Sequence, residues 1–279
     1  MHRAESSTSL ERTYRYLRIG IAGVAVVIFI AVAIASAQVG WLMSVSDYYF
    51  TPARDAFVGA LIAASLALLA LSGRGLERGL LDAAALFAPL IALVPTTLAP
   101  GAVPGVEVTC AFRCFPPEYE ADAANGVLTY LAVGAVIVAV TLLLVALRQV
   151  SFAAVGLSLA LAASVLVAVA LTWFLARDAF LAQGHFVATI GFFALFAAVA
   201  VLAAFPRGRD APPTVYRVLY TVIAALLVVV LVAYGVLSAV GDDGIPTVLI
   251  VESGALVLFS AFWVVQGVEK WDAVDPAVR

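Results

Sequence analysis

Ser44-Val45-Ser46-Asp47-Tyr48-Tyr49-Phe50-Thr51-Pro52-Ala53-Arg54-Asp55-Ala56-Phe57-Val58-Gly59 packs two carboxylates, an arginine, two tyrosines and three hydroxyls into sixteen residues. Long apolar runs flank it on both sides, beginning with Ile19 to Val39. About 20 consecutive apolar residues cross a bilayer as a helix. The stretch therefore reads as a short polar connection between two membrane spans. Thr51 is placed to cap the second span, with Pro52 at the first helical position, where its missing N–H costs nothing.

Working outward, the same pattern recurs along the chain. Of the 279 residues, 65% are hydrophobic and 12% charged, about half the charge of a soluble domain. The fold class expected is all-α, a polytopic transmembrane helix bundle of eight spans. They fall at 19–40, 53–72, 79–99, 125–147, 151–175, 179–205, 216–240 and 246–268. Residues 1–18 and 269–279 read as polar tails, and 100–123 as the longest loop. Ala35-Ser36-Ala37 resembles a signal-peptidase site. The run before it is longer than a cleaved signal needs, so the first helix is expected to be retained.

Charge sets the orientation. Arg3, Arg12, Arg15, Arg18, Arg74, Arg78, Arg148, Arg207, Arg209, Arg217, Lys270 and Arg279 fall on the side of the N-terminus. Only Arg54, Arg113 and Arg177 fall on the other. Basic residues favour the cytoplasmic side, which predicts both termini in the cytoplasm of a multi-pass cell-membrane protein. The net charge of −3, with no basic stripe and no Gly-rich phosphate loop, excludes nucleic acid as a partner.

The acidic residues Asp47, Asp55, Glu107, Glu118, Glu120, Asp122, Asp178, Asp242 and Asp243 gather on the outer side, mostly as a solvated face. Two groups lie deeper. Glu252 in the last span and His185 in the sixth each sit six residues past the expected helix start, about 9 Å down at 1.5 Å per residue. Ionisable groups at that depth are costly unless paired or facing a wet cavity. Asp47, Tyr48, Tyr49, Arg54, Asp55, His185 and Glu252 are the expected ligand-binding set. His185, Glu252 and Asp55 are the catalytic candidates, though no reaction is legible. Asp55, His185 and Glu252 are expected to converge with Arg54 in one pocket, with Tyr48 and Tyr49 as its lid. The competing reading is structural: ion pairs of Arg54 with Glu252 or Asp47 that pin helices. A Ser-His-Asp arrangement using Ser44 or Ser46 lacks a supporting motif. One histidine among carboxylates is a poor zinc set, so neither metal nor cofactor is expected. Cys110 and Cys114 share the long outer loop, and a loop disulfide is expected there.

The pattern Ser44-x-Ser46-x-Tyr48-Tyr49-x-Thr51-Pro52-x-Arg54-Asp55-x-Phe57-Val58-Gly59 resembles a signature of uncharacterised bacterial multi-span membrane proteins. Pro95-Thr96, His185 and Glu252 are similar to that family as well. More distantly, the chain resembles the DRAM/Sfk-type membrane proteins, which share a Ser/Asp…Pro…Phe-x-Gly segment after the first span and a glutamate in the last. Those are usually six-span proteins with lipid- or stress-related roles, and this chain carries two more spans around 125–175. The resemblance implies a shared outer-leaflet site.

The leading expectation is an integral membrane protein whose outer-leaflet polar site binds a lipid head group or small molecule, with membrane lipids as partners. The alternatives are a proton-coupled transporter working through Glu252 and a structural or assembly protein without a ligand.

Overall fold

The computed structural model describes residues 9–71, 75–206, 211–240 and 246–271. Expected features at Arg3, Arg74, Arg207, Arg209, Asp242, Asp243 and Arg279 lie outside them. Eight long helices follow in order: α1 Ser9–Val39, α2 Arg54–Leu71, α3 Gly75–Leu93, α4 Glu120–Ala146, α5 Phe152–Leu175, α6 Arg177–Ala204, α7 Thr214–Val240 and α8 Thr247–Glu269. Among the described residues there is no strand, only a single antiparallel bridge between Leu98 and Cys114.

Seven of the helices are long and apolar enough to cross a membrane. The exception is α3, which carries Glu77, Arg78 and Asp82 within its 19 residues. It is nonetheless deeply packed, against α2, α4, α5 and α6. Helices α3 and α4 start four and five residues early, at Gly75 and Glu120, and two boundaries differ more. Helix α1 begins at Ser9, so the stretch 9–18 is helical rather than a tail. Helix α3 stops at Leu93 instead of running to 99, because Pro95 disfavours helical backbone in the residue before it.

Neighbour relations define the architecture. Helices α1, α2, α3, α6, α7 and α8 pack in that order into a closed ring, α8 returning to α1. The α4–α5 hairpin stands outside, leaning chiefly on α3. Both of its helices are largely exposed along their apolar faces, which suits contact with lipid.

The interior of the ring is filled, not hollow. Phe192 and Phe196 of α6 meet Phe259, Phe262 and Trp263 of α8, with the closest ring centroids, Phe196 to Phe259, 4.7 Å apart. Tyr220 of α7 closes the cluster against Phe262. Edge-on and tilted ring pairs of this kind add to simple area burial.

Pro89 lies inside α3. Lacking an N–H, it cannot bond the Ala85 carbonyl one turn back. In lipid such a carbonyl must find another donor. Ser65 of α2 supplies it, its hydroxyl donating to Ala85 O at 2.6 Å. The proline thus becomes a point of α2–α3 attachment.

Candidate functional site

Between α1 and α2 the polar stretch folds into a short 3-10 turn, Ser46–Phe50, all of it buried. We call residues 44–51 the plug, because they enter the mouth of the ring. The Thr51 hydroxyl accepts from Ala53 N at 3.2 Å and donates to Tyr48 O at 2.8 Å, closing the plug; α2 begins only at Arg54, so Thr51 and Pro52 form the turn before the helix and not its cap and first residue. Met43 O accepts from Leu249 N at 2.8 Å, giving the start of α8 a partner for a free N–H.

Glu252 holds the plug from α8. Its Oε2 accepts from Ser44 Oγ at 2.7 Å and from Ser46 N at 3.2 Å, and its Oε1 accepts from Ser46 Oγ at 3.1 Å. From α6, His185 Nε2 lies 2.8 Å from the same Ser46 Oγ. The other ring nitrogen, Nδ1, lies 2.8 Å from the Val94 carbonyl just beyond α3. Tyr234 of α7 interacts with Glu252 as well. Glu252 and His185 are both buried. One hydroxyl, Ser46, thus joins the carboxylate of α8 to the imidazole of α6.

Tyr48 ties the plug to α1. It is fully buried, its hydroxyl bonded to Ser36 and accepting from Leu42 N at 3.2 Å. Asp47 is also buried, and Arg113 of the long loop places Nη2 4.0 Å from its Oδ1. That loop is braced in two ways. Cys110 and Cys114 form a disulfide, and Leu98 and Cys114 exchange backbone hydrogen bonds of 2.9 and 3.0 Å.

Arg54 stands apart, on the rim. Its Nη2 donates to Tyr49 Oη and to Asp122 Oδ2, each at 2.8 Å. Its guanidinium lies over Tyr49 and Tyr119, 4.6 and 5.7 Å from the ring centroids. Burial pushes the Tyr49 phenol above its ordinary value, against the pull of Arg54, which keeps it a neutral hydroxyl.

The convergence expected from the sequence is therefore divided. Glu252, His185 and the plug come together. Arg54 does not join them, and Asp55 is exposed at the start of α2. Adjacent helical residues point about 100° apart, so Arg54 and Asp55 cannot both face inward, and Arg54 is engaged on the rim by Tyr49 and Asp122. Nor do the two tyrosines form a lid. Tyr48 is an internal strut, and Tyr49 a platform for Arg54.

Four participants escaped sequence reading. Ser44 and Ser46 stood out only as hydroxyls of a hypothetical triad, Tyr234 was hidden in an apolar run, and Asp122 was grouped with the solvated face. The one available signal was Tyr234 itself, the single tyrosine in the Val- and Leu-rich stretch 221–240. Among the described residues no three His, Cys, Asp or Glu side chains gather as metal ligands. Comparison with family models, with curated proteins and with solved structures yields no match to the chain.

Proposed function

We propose that this chain is a cell-membrane protein of eight spans with cytoplasmic ends, whose plug end faces outward and engages an anionic lipid head group at Arg54. The observation that carries the reading is the state of that guanidinium. It is 35% exposed, and only Nη2 has hydrogen-bond partners among the described residues. Nε and Nη1 remain available to a phosphate, the kind of acceptor an arginine fork suits.

Two features support it. Asp122, the present partner, is 52% exposed, and exposed ion pairs contribute only about 0–1 kcal/mol, so a phosphate can replace it. Tyr49 and Tyr119 flank the arginine, and tyrosines favour the membrane–water boundary. The distribution of arginines supports the orientation, and the burial of α3 among four helices supports counting it as a span. The resemblance to six-span proteins fits a ring of six helices with α4 and α5 added outside it. A transporter is the weaker reading, since the aromatic cluster occupies the space beneath Glu252 where a polar path would continue.

Native mass spectrometry of the purified protein tests this. Wild type is expected to retain phospholipid, Arg54→Ala to lose most of it, and Asp122→Asn to retain more, because the competing carboxylate is gone. Equal retention by all three would overturn the assignment.

A further inference from the structure

The hydrogen bonds meeting at Ser46 demand more hydrogens than the serine possesses. Val94 O is a carbonyl and only accepts, so His185 Nδ1, 2.8 Å away, carries a hydrogen. In a neutral imidazole Nε2 is then a bare acceptor. Ser46 Oγ lies 2.8 Å from that Nε2 and 3.1 Å from Glu252 Oε1. With an ionised Glu252 and a neutral His185, two acceptors would share one hydroxyl hydrogen, and one contact would be lost. With both groups protonated, Ser46 Oγ would accept twice and its own hydrogen would lose both acceptors. Both bonds coexist with the Ser46 hydrogen also satisfied only when the three residues hold one proton beyond those of the Ser46 hydroxyl and His185 Nδ1.

We propose that Glu252, Ser46 and His185 form a proton-exchanging unit, an acid–base relay that keeps this one proton and passes it between carboxylate and imidazole. In one state Glu252 Oε1 carries it, Ser46 donates to Nε2, and His185 is neutral. In the other, Glu252 is ionised, Ser46 donates to it, and His185 is an imidazolium donating to Ser46 Oγ. Transfer breaks the Oε1–H bond and forms a new Oγ–H bond, while the old Oγ–H bond breaks and Nε2–H forms. Net charge is zero before and after, and no co-reactant is needed. Neutrality also explains how two ionisable groups are accommodated at membrane depth, where an unbalanced charge is costly.

The surroundings suit a local relay. Among the described residues, Asp47 on the plug, Arg113 from the long loop and Tyr234 from α7 are the other titratable or charged groups facing it. Toward the other end of the bundle the aromatic cluster of α6 and α8 intervenes, so the proton moves between two groups and not across the membrane. The unit also fastens the plug, so its proton count and the seating of the plug are linked. This inference does not rest on lipid binding at Arg54.

Nitrogen-15 NMR of histidine-labelled full-length protein in nanodiscs tests it, with His2→Asn removing the second imidazole signal. In wild type, Nδ1 should stay protonated while Nε2 gives an exchange-averaged signal between donor and acceptor. Glu252→Gln should shift Nε2 to the bare-acceptor position, since an amide has no proton to pass. Ser46→Thr should preserve that response and Ser46→Ala should abolish it. If the Ser46 variants do not fold, wild type alone decides. A bare Nε2 beside an ionised Glu252, with infrared spectra lacking a protonated-carboxyl band, is the state the proton count forbids and would overturn the relay.

Discussion

The two ends of α8 solve one problem with different chemistry. At the plug end, Glu252 is held by two serine hydroxyls, a backbone N–H and, through Ser46, an imidazole. At the opposite end, buried Gln266 accepts from Arg18 Nε of α1 at 3.2 Å, and Glu269 accepts from Tyr220 Oη of α7 at 2.6 Å. Arg15 adds a bond to Trp271 O at 2.8 Å and lies over that indole. Both ends fasten α8 to its ring neighbours. A guanidinium, however, never gives up its proton under ordinary conditions. One end is a fixed clamp. The other is assembled from groups whose hydrogens can be redistributed.

The largest effect should separate these ends. Glu252→Ala removes three hydrogen bonds in a buried place and leaves Ser44 Oγ without an acceptor, while Ser46 N keeps Ser44 Oγ at 3.0 Å and Ser46 Oγ keeps His185 Nε2 at 2.8 Å. At about 1 kcal/mol for each lost hydrogen bond and somewhat more for the stranded Ser44 hydroxyl, the loss should be on the order of 3 kcal/mol. Gln266→Ala removes one acceptor from Arg18 and should cost about 2 kcal/mol. Thermal unfolding in detergent would read both, and a larger loss for Gln266→Ala would break the comparison. Glu252→Gln keeps an acceptor in place and should fall well short of Glu252→Ala.

How far these ends were legible follows from the same residues. Periodic runs of Ala, Val and Leu reveal spans because bilayer thickness imposes their length. The depth of Glu252 and His185 could likewise be counted from helix starts. That they meet through Ser46 could not, since it depends on a 3-10 turn whose formation rests on burial by α1, α6 and α8. Arg54 shows the opposite difficulty. Its partner Asp122 is 68 residues away, and no local spacing links the two. Ring closure by α8 on α1, with α4 and α5 left outside, is also a matter of long-range packing that hydropathy does not encode.

A smaller effect probes the middle of the bundle, where neither kind of end exists. Ser65→Ala should strand the Ala85 carbonyl and cost about 1–2 kcal/mol. Pro89→Ala restores an N–H for that carbonyl, so Ser65→Ala in that background should be close to neutral. Unfolding measurements on the two single variants and the double variant give the coupling directly. Additive losses would show that Ser65 holds α2 to α3 independently of the proline.

The smallest effect tests whether burial, and not charge itself, gives the clamp end its strength. Arg78 and Asp82 lie at that same end, one turn apart on α3, with Nε 3.6 Å from Oδ2. That separation is too long for a hydrogen bond, and although Asp82 is only 13% exposed, the arginine side chain is 36% exposed. The order is unfavourable too: a base in the first turn meets the positive end of the helix dipole, and an acid placed before a base is the better arrangement. Helical pairs at this spacing contribute about 0.3–0.5 kcal/mol when both partners are exposed, and this one, with no hydrogen bond and a partly exposed base, should contribute no more. Asp82→Asn should therefore lower stability by no more than about 0.5 kcal/mol, and added salt should shrink the difference further. A loss matching that of Gln266→Ala would mean that charge at this end matters irrespective of burial, and the contrast drawn between the two ends of α8 would no longer hold.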